Sequence, residues 1–285
     1  MTLEQDITAH YRHGALEEAL LAGVVAAGKD PDKLTPDDLA AADEFHIGGR
    51  QATKDFADAF APRSGMHLID IGAGLGGPSR FFAQHYDCRV TGIDLSEEYV
   101  ATASSLARRV GLAERVSYQQ ASALELPFAD GTFDGAYMQH VGMNIADKAR
   151  LFHEVHRVLK PDAPFALYDV MRTGEGPLDY PVPWASSADT SFVETPATYR
   201  ALLAAGGFEP VKQRERGQFA LEVYRARAAG LSQKGGPPPL GTHIMMGASA
   251  RQKTANMLAM IERGVIAPVE IICRRVEPNP HAGNV

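Results

Sequence analysis

Two segments of the chain carry residue types that could bind a nucleoside. Leu68–Ile71 is mainly apolar and leads into Gly72–Gly76, in which glycine occupies every second position. Glycine adopts backbone angles that a Cβ forbids and allows the backbone to approach a ligand closely. A second predicted strand, residues 89–93, ends on Asp94, whose carboxylate could accept both ribose hydroxyls of a nucleoside. The sequence therefore predicts a nucleoside site at the carboxyl edge of a parallel sheet.

The spacing of the glycines indicates which nucleoside is bound. Dinucleotide enzymes use G-x-G-x-x-G and place a pyrophosphate on a helix N-terminus. From Asp70 to Gly76 the spacing is D-x-G-x-G-x-G. This pattern resembles the first motif of the class I methyltransferases, whose ligand, S-adenosylmethionine, contains no phosphate. An ordinary tight turn is the alternative, and the presence of Asp94 and of a third strand and helix downstream speaks against it.

The elements that must position these residues follow from the hydrophobic pattern. Strands and helices alternate from Met66 onward, which is typical of an α/β protein with a Rossmann-like, doubly wound, mostly parallel seven-stranded sheet. The apolar residues of the helix 147–159 recur with a period of 3.6. The predicted strands are 67–71, 89–93, 115–119, 133–138, 164–170, 209–216 and about 268–275, and the main helices are 78–85, 97–110, 147–159 and 196–205.

Two helical caps are predicted outside this core. Residues 1–60 form an N-terminal helical cap, 61–216 the cofactor-binding core, and 267–285 the last strand with a tail. Residues 217–266 form an inserted cap, because fifty residues are too many for a simple hairpin and several of them are apolar. A joint of two glycines and three prolines at 235–239 divides this insert. The long loop 174–195 contains the only tryptophan.

The bulk composition limits the classes of partner and the compartment. A net charge of −7 without a basic run argues against nucleic acid as a partner. Cys88 and Cys273 are predicted to be buried apolar side chains, which suits a reducing compartment. The first residues lack a signal-peptide core, and the longest apolar stretch, residues 19–27, is too short to span a bilayer. We expect a cytoplasmic enzyme, with homo-oligomerisation left open.

Several further segments extend the resemblance over about residues 45–275. It is closest to the sarcosine/dimethylglycine, phosphoethanolamine and quinone-type methyltransferases, which are class I small-molecule enzymes dependent on S-adenosylmethionine. The matching segments, besides the glycine-rich loop, are Phe45–Arg50, Val90–Leu95, Leu126–Phe128, Phe133–Asp134, Arg157–Pro161 and Tyr180–Ala185.

The resemblance also implies a cofactor site. Asp94 would hold the ribose and Leu95 would lie under the adenine, whereas Asp70 is expected mainly to brace the amides of the turn. Ser122 stands where the family commonly has an acid that accepts the adenine amino group, and a neutral hydroxyl makes a weaker hydrogen bond. The full set of predicted cofactor contacts is Asp70, Gly72, Ala73, Gly74, Asp94, Leu95, Ser122, Ala123 and Gln139.

Candidates for the reaction centre lie at the end of the fourth strand and in the caps. His140 could accept a proton from an amine or hydroxyl as the methyl group is transferred, because the pKa of imidazole lies near neutrality; alternatively it only positions the substrate or a loop. Tyr11 is a second catalytic candidate, from the N-terminal cap. The predicted substrate contacts are Trp184, Tyr180, Asn144 and His46. Asn144 and Asp169 are the only candidate oxygen ligands near strand four, so no metal is expected.

The expected reaction is direct displacement of the methyl group, with S-adenosylhomocysteine as the second product. The resemblance to enzymes that methylate glycine derivatives and phosphoethanolamine favours N-methylation of a small amine, and an aromatic face such as that of Trp184 could attract a methylammonium group. C- or O-methylation of a quinone, polyketide, phenol or terpenoid is the alternative, since the methionine-rich insert suits an apolar acceptor. A protein that binds S-adenosylmethionine without catalysis is the third possibility.

Overall fold

The computed structural model describes residues 2–234 and 238–277, and for residues 229–234 it describes the backbone alone. The joint predicted at 235–239 and the predicted tail after residue 277 therefore lie partly or wholly outside the described residues. Seven strands form one sheet in the order β3-β2-β1-β4-β5-β7-β6. The strands are β1 (His67–Ile71), β2 (Arg89–Asp94), β3 (Val116–Gln120), β4 (Gly135–Gln139), β5 (Pro164–Arg172), β6 (Phe208–Glu215) and β7 (Ile266–Arg275).

The sheet is parallel except at β7, which runs antiparallel to both of its neighbours. The order reverses beside β1, where β2 pairs on one side and β4 on the other. The carboxyl ends of the strands on either side of such a switch point leave a crevice in which ligands bind. The predicted mostly parallel, seven-stranded sheet is confirmed, and the last strand begins two residues earlier than expected.

Helices cover both faces of the sheet and its carboxyl edge. The helices are α1 (Leu3–Tyr11), α2 (Leu16–Ala26), α3 (Pro36–Asp43), α4 (Gly49–Phe60), α5 (Gly77–Tyr86), α6 (Glu97–Arg109), α7 (Lys148–Val158), α8 (Pro196–Ala205), α9 (Gly217–Lys234), α10 (His243–Met246) and α11 (Ala250–Glu262).

The core of the protein lies on the two faces of this sheet. On one face Phe152 and Tyr199, from α7 and α8, pack on strand residues such as Phe165. On the other face, Phe56 of α4 and Phe82 of α5 pack against strand side chains. The apolar, mainly buried pattern of β4 and β5 follows from this arrangement, because both of their faces are covered.

The N-terminal helices and the segment between β6 and β7 meet above the carboxyl edge. Leu20 of α2 and Leu39 of α3 share an apolar cluster with Leu106 of α6 and Met245 of α10. Trp184 and Met257 belong to a second cluster, which joins the 174–195 loop to α9 and α11. These contacts place both predicted caps on the same side of the sheet. None of the helices within residues 2–234 and 238–277 combines the length and the apolar character needed to cross a bilayer.

A buried ion pair fastens α3 to α5 beside the glycine-rich loop. Arg80 is fully buried, and its Nη2 donates to Oδ2 of Asp43 over 2.6 Å. We expect Arg80→Met to lower the free energy of unfolding by about 3–5 kcal/mol, because it leaves the buried carboxylate of Asp43 without its cation. Urea unfolding measures this change. The matched control is Arg115→Met, at an exposed pair with Asp87, which should change stability by less than about 1 kcal/mol. Equal losses in the two variants would contradict the expectation.

The cysteines confirm one prediction. Cys88 and Cys273 are both buried free thiols, and burial raises the pKa of each, to about 11 and about 12. A thiol whose pKa is raised in this way is a poor nucleophile at neutral pH. Both side chains therefore act as apolar filling.

Candidate functional site

A cavity of about 300 Å³ lies at the carboxyl ends of β1, β2 and β4, beneath the caps. This volume falls within the range of small-molecule sites. The core contributes the glycine-rich loop, Asp94 and the ends of β3 and β4. The N-terminal cap contributes Tyr11 and His46, and the inserted cap contributes residues of α9, α10 and α11.

The glycine-rich loop needs its glycines for two physical reasons. Gly72 and Gly74 have φ values of +70° and +54°, in the left-handed region that side chains disfavour. A Cβ at Gly72 would also lie 2.5 Å from Cγ2 of Val141. A Cβ at Gly74 would meet only Tyr99, at 3.9 Å. The backbone of Gly74 is thus the part of the loop that a ligand can approach closely.

Asp94 closes the end of β2 on this cavity. Its Oδ2 accepts from the amide of Gly74 over 3.0 Å, and its Oδ1 accepts from the amide of Ser96 over 2.9 Å. Burial raises the pKa of Asp94, and these amide donors oppose the shift. Each carboxylate oxygen retains a second lone pair for a donor in the cavity. The side chain is therefore fixed where two hydroxyl groups could reach it.

The sequence suggested that Asp70 braces the amides of the turn, but the structure shows a different partner. Its Oδ2 instead accepts from the hydroxyl of Ser79 over 2.6 Å, which ties β1 to α5. Asp70 still lines the cavity. Burial raises the pKa of this carboxyl group to about 7, while the hydrogen bond from Ser79 opposes the shift. Its charge thus changes around neutral pH.

This pKa predicts a pH dependence of ligand binding. The S-adenosylmethionine that the resemblance implies carries a sulfonium cation, which would favour the ionised form of Asp70, so that binding is coupled to loss of a proton. We expect the Kd of S-adenosylmethionine to fall by up to about 10-fold between pH 6 and pH 8, and to level off above the pKa. The Kd of S-adenosylhomocysteine, which lacks the sulfonium charge, should change less.

Calorimetry with both ligands across this pH range measures the difference. Asp70→Asn is the matched variant, because its amide oxygen can still accept from Ser79. The steeper pH dependence for the sulfonium should disappear in this variant. Identical pH dependence of the two ligands in the wild type would contradict the assignment.

At the end of β3, the structure brings an acid to the position of Ser122. The hydroxyl of Ser122 donates to Oε1 of Glu4 over 2.5 Å and accepts from the amide of Leu124 over 3.1 Å. Ala123 and Leu95 line the cavity beside this pair. No sequence pattern indicates that Glu4 lies there, because it is 118 residues away from Ser122 along the chain.

At the end of β4, two polar side chains face the cavity. Gln139 is buried, and neither its Oε1 nor its Nε2 makes a hydrogen bond to a described residue. Such groups are costly to bury unless a ligand or water satisfies them. The next residue, His140, has a φ of +57° and lines the same wall.

One hydrogen bond to the ring of His140 sets the tautomer of its neutral form. The amide of Ile47 donates to Nε2 over 3.4 Å, so Nε2 holds the lone pair and Nδ1 carries the proton. Burial lowers the pKa of His140 well below 6.5, and the nearby charge of His46 acts in the same direction. Nδ1 makes no hydrogen bond to a described residue. This geometry favours a donor that positions a ligand, because the lone pair already faces an amide.

His46 is fixed from behind by its own chain neighbours. Its Nε2 lies 2.9 Å from Oε2 of Glu44 and 3.0 Å from the hydroxyl of Thr53. Glu44 is fully buried, and its bond to His46 lowers the pKa of this carboxyl group against the opposing effect of burial. The ring of His46 stands 5.9 Å from that of His140, centroid to centroid.

The remaining predicted residues divide into those that reach the cavity and one that does not. The hydroxyl of Tyr11 donates to Oδ1 of Asn144 over 3.0 Å, and Nδ2 of Asn144 donates to the carbonyl of Trp184 over 2.8 Å. All three line the cavity. Tyr180 does not: it packs in the apolar cluster under the 174–195 loop. The cavity wall at this loop is formed by Trp184, four residues further along, so a substrate contact of Tyr180 stays a prediction that the lining of the cavity does not support.

Other cavity residues were not found from the sequence. Asp43 is buried with its Oδ1 unpartnered in the described part of the chain, and Tyr99 has an unpartnered hydroxyl. Asp43 lies two residues before the matching segment Phe45–Arg50, which could have drawn attention to it. Arg227, on α9, is the one Lys or Arg among the described residues that line the cavity. No group of three potential metal-ligating side chains occurs within residues 2–234 and 238–277.

Comparisons with known proteins agree with this geometry. Residues 69–167 match the family model for a methyltransferase domain. Phosphoethanolamine N-methyltransferase 3 of Arabidopsis thaliana is 29% identical over 178 residues, which cover 62% of this chain and 36% of that protein. The O-methyltransferase cnsE of Penicillium expansum is 30% identical over 166 residues, which cover 58% of this chain and 55% of that protein. The matches thus span between about a third and about half of these two relatives.

Among solved structures, geranyl diphosphate C-methyltransferase from Streptomyces coelicolor A3(2) has the same fold. Its TM-score is 0.69 at 19% identity, and the alignment covers 97% of this chain and 98% of that one. The sheet order and the glycine-rich loop define the class I fold of S-adenosylmethionine-dependent methyltransferases. Residues 69–167 thus match a methyltransferase domain within this fold, and S-adenosylmethionine is the cofactor of this class.

The residues of the cavity fit this cofactor. The unpartnered amide of Gln139 and the open backbone face of Gly74 provide polar contacts and close approach. Asp94 would offer the ribose a carboxylate at the end of β2, and Asp70 places a second acid beside the loop. These features stand on the same elements that the sequence motifs indicated.

Proposed function

We propose that the protein transfers the methyl group of S-adenosylmethionine to a small-molecule acceptor, at the nitrogen of a small amine. One observation carries the proposal: the cavity that begins at the glycine-rich loop and Asp94 continues past Gln139 and His140 into a space walled by both caps. A donor held at the loop and an acceptor held under the caps would meet at the end of β4.

The enclosure supports an acceptor of metabolite size. Tyr11 closes one side of the cavity and Trp184 closes another. Met246 and Met257 line the wall that the inserted cap forms. These walls come from the chain itself and leave little room for a protein or nucleic acid segment. The net charge of −7, with Arg227 as the one Lys or Arg among the described residues that line the cavity, also speaks against a polyanionic acceptor.

Two features of the cavity support an amine. Trp184 and Tyr224 line it with aromatic rings, which attract a methylammonium group by about 0.5–2 kcal/mol per contact. The unpartnered Oδ1 of Asp43 adds a buried acceptor for a positively charged donor. The similarity to a phosphoethanolamine N-methyltransferase is consistent with nitrogen as the acceptor atom.

C- or O-methylation is the second candidate, because much of the acceptor space is apolar. Met143, Met246 and Met257 line it, and methionine adapts to irregular apolar ligands. The relatives include an O-methyltransferase, and a C-methyltransferase of geranyl diphosphate shares the fold. A quinone, polyketide, phenol or terpenoid would suit these walls.

The chain's own residues would align the acceptor with the methyl group, exclude water from the cavity and accept one proton. Bound S-adenosylmethionine supplies both the methyl group and the sulfur leaving group. The caps exclude water, and the side chains at the end of β4 orient the acceptor lone pair toward the methyl group. A proton released from the acceptor could reach the lone pair at Nε2 of His140 if the acceptor displaces the long bond from Ile47.

A donor-consumption screen tests the proposal. The purified protein is incubated with S-adenosylmethionine and with sarcosine, dimethylglycine, ethanolamine derivatives, phenols or prenylated compounds, and S-adenosylhomocysteine is quantified. We expect turnover on one of the amines. Turnover confined to phenolic or prenylated acceptors would overturn the nitrogen assignment and leave methyl transfer intact. Tight binding of the donor without turnover on any class would favour a non-catalytic cofactor-binding protein.

We also propose a cytoplasmic location, in keeping with two buried free thiols and no disulfide among the described residues. Fractionation of the native host, with an antibody to this chain, measures the location. Recovery in an oxidising compartment would contradict it.

A further inference from the structure

One carboxylate on the cavity wall comes from outside the methyltransferase core. Glu4 lies in the first turn of α1 and lines the cavity beside Ser122 and Ala123. Its Oε1 accepts from the hydroxyl of Ser122 over 2.5 Å, while Oε2 accepts no hydrogen bond from a described residue. The Ser122 hydroxyl has already used its one proton in this bond. The pair therefore offers the cavity an acceptor, and the carboxylate is the stronger one.

The position of Glu4 is fixed from both ends of its helix. Thr2 and Gln5 form a reciprocal capping box at the start of α1. At the other end, Nε2 of His10 lies 3.1 Å from the carbonyl of Pro183, and Tyr11 donates to Asn144. The carboxylate of Glu4 is thus held over the edge of the core by contacts on either side of it.

The sheet order shows which part of an adenosyl ligand lies there. Along the carboxyl edge the order is β3-β2-β1-β4, with neighbouring strands about 4.8 Å apart. A ribose at Asp94 lies at β2. The sulfur must face the acceptor space at the end of β4, on the far side of β1. The base must therefore lie in the opposite direction, at the end of β3, where Glu4 meets Ser122.

We propose that Glu4 recognises the adenine amino group of the cofactor. A carboxylate only accepts hydrogen bonds and the 6-amino group donates them, so the two match; a 6-oxo base would instead present an acceptor to the carboxylate. Glu4 thereby supplies from α1 an acceptor that the core lacks at Ser122, and it is a specificity-determining residue for the donor. The inference rests on the proposed function, because it requires an adenosyl cofactor in this cavity.

Calorimetric binding of two ligands tests the inference without any turnover. The ligands are S-adenosylhomocysteine and S-inosylhomocysteine, which differ at position 6 of the base and in the proton at N1. We expect the wild type to bind the adenosyl compound at least about 10-fold more tightly. Glu4→Ala and Glu4→Gln should reduce this preference to less than about 3-fold, chiefly by weakening the adenosyl compound, since a neutral amide can either accept or donate.

Asp6→Ala is the matched control, because it removes an acid from the same helix at a position that does not line the cavity. It should keep the wild-type preference. An unchanged preference in both Glu4 variants would overturn the inference. Equal weakening of both ligands would also overturn it, since α1 would then only cover the cavity. A wild type that binds neither ligand would refute the cofactor assignment of the proposed function itself.

Discussion

Asp94→Ala is expected to weaken the binding of S-adenosylmethionine by about 100-fold or more. The carboxylate would accept two ribose hydroxyls, and each hydrogen bond to a charged group contributes about 1.5–3 kcal/mol. The substitution also removes the partner of the amides of Gly74 and Ser96, which hold the glycine-rich loop and the start of α6. Both effects weaken ligand binding: the first removes contacts to the ligand, and the second changes the shape of the loop.

Calorimetric titration with the methyl donor measures this loss. Asp32→Ala is the surface control, since the Asp32 side chain is 86% exposed and lies away from the cavity. Its affinity should equal that of the wild type. Asp94→Asn separates the two effects, because the amide oxygen can still accept from one backbone amide. Wild-type affinity in Asp94→Ala would show that the cofactor does not lie at the end of β2.

His140→Ala is expected to reduce turnover by about 10²–10⁴-fold with little change in cofactor affinity. The side chain lies at the end of β4, on the path from the glycine-rich loop to the caps. Its loss removes either the base or the donor that positions the acceptor, and neither role involves the cofactor directly. Single-turnover rates and the donor Kd, measured on the same preparation, separate the two quantities. His153→Ala, at an exposed histidine away from the cavity, should behave as the wild type.

His140→Asn distinguishes the two roles of this residue. Asparagine tolerates the left-handed backbone at this position, and its amide N–H approximates the donor at Nδ1. Activity within about 10-fold of the wild type would indicate positioning by a donor, whereas a loss as large as in His140→Ala would indicate a base.

The pH profile gives an independent check on His140. Burial lowers its pKa well below 6.5, so the ring is neutral at all pH values above that. We expect the wild-type turnover number to show no inflection from His140 between pH 7 and pH 9, and to fall only on acidification below pH 6.5. An inflection near pH 7 that vanishes in His140→Asn would contradict the buried, neutral ring.

Much of the core could be predicted from the sequence because the signals are local. The D-x-G-x-G-x-G spacing reports backbone angles that only glycine adopts freely, and the structure shows positive φ at Gly72, Gly74 and Gly76. The alternation of apolar strands with amphipathic helices is likewise a short-range pattern, and it determined the seven-stranded sheet. Asp94 followed from the same logic, as the residue at which a buried strand ends. The division of the chain into four units and the role of each site residue stay predictions.

The caps were decided by tertiary structure, since contacts between distant segments leave no periodic signal. Nothing near Glu4 indicates that α1 packs its first turn against Ser122, a residue 118 positions away. Tyr180 and Trp184 look equivalent along the chain, and both pack in the apolar cluster under their loop, but of the two only Trp184 also lines the cavity. The pKa of Asp70, about 7, arises from burial among elements that meet only in the folded protein. Local patterns along the chain were thus enough to locate the carboxyl edge of the sheet at which a ligand binds, whereas packing between distant segments set which side chains surround that edge.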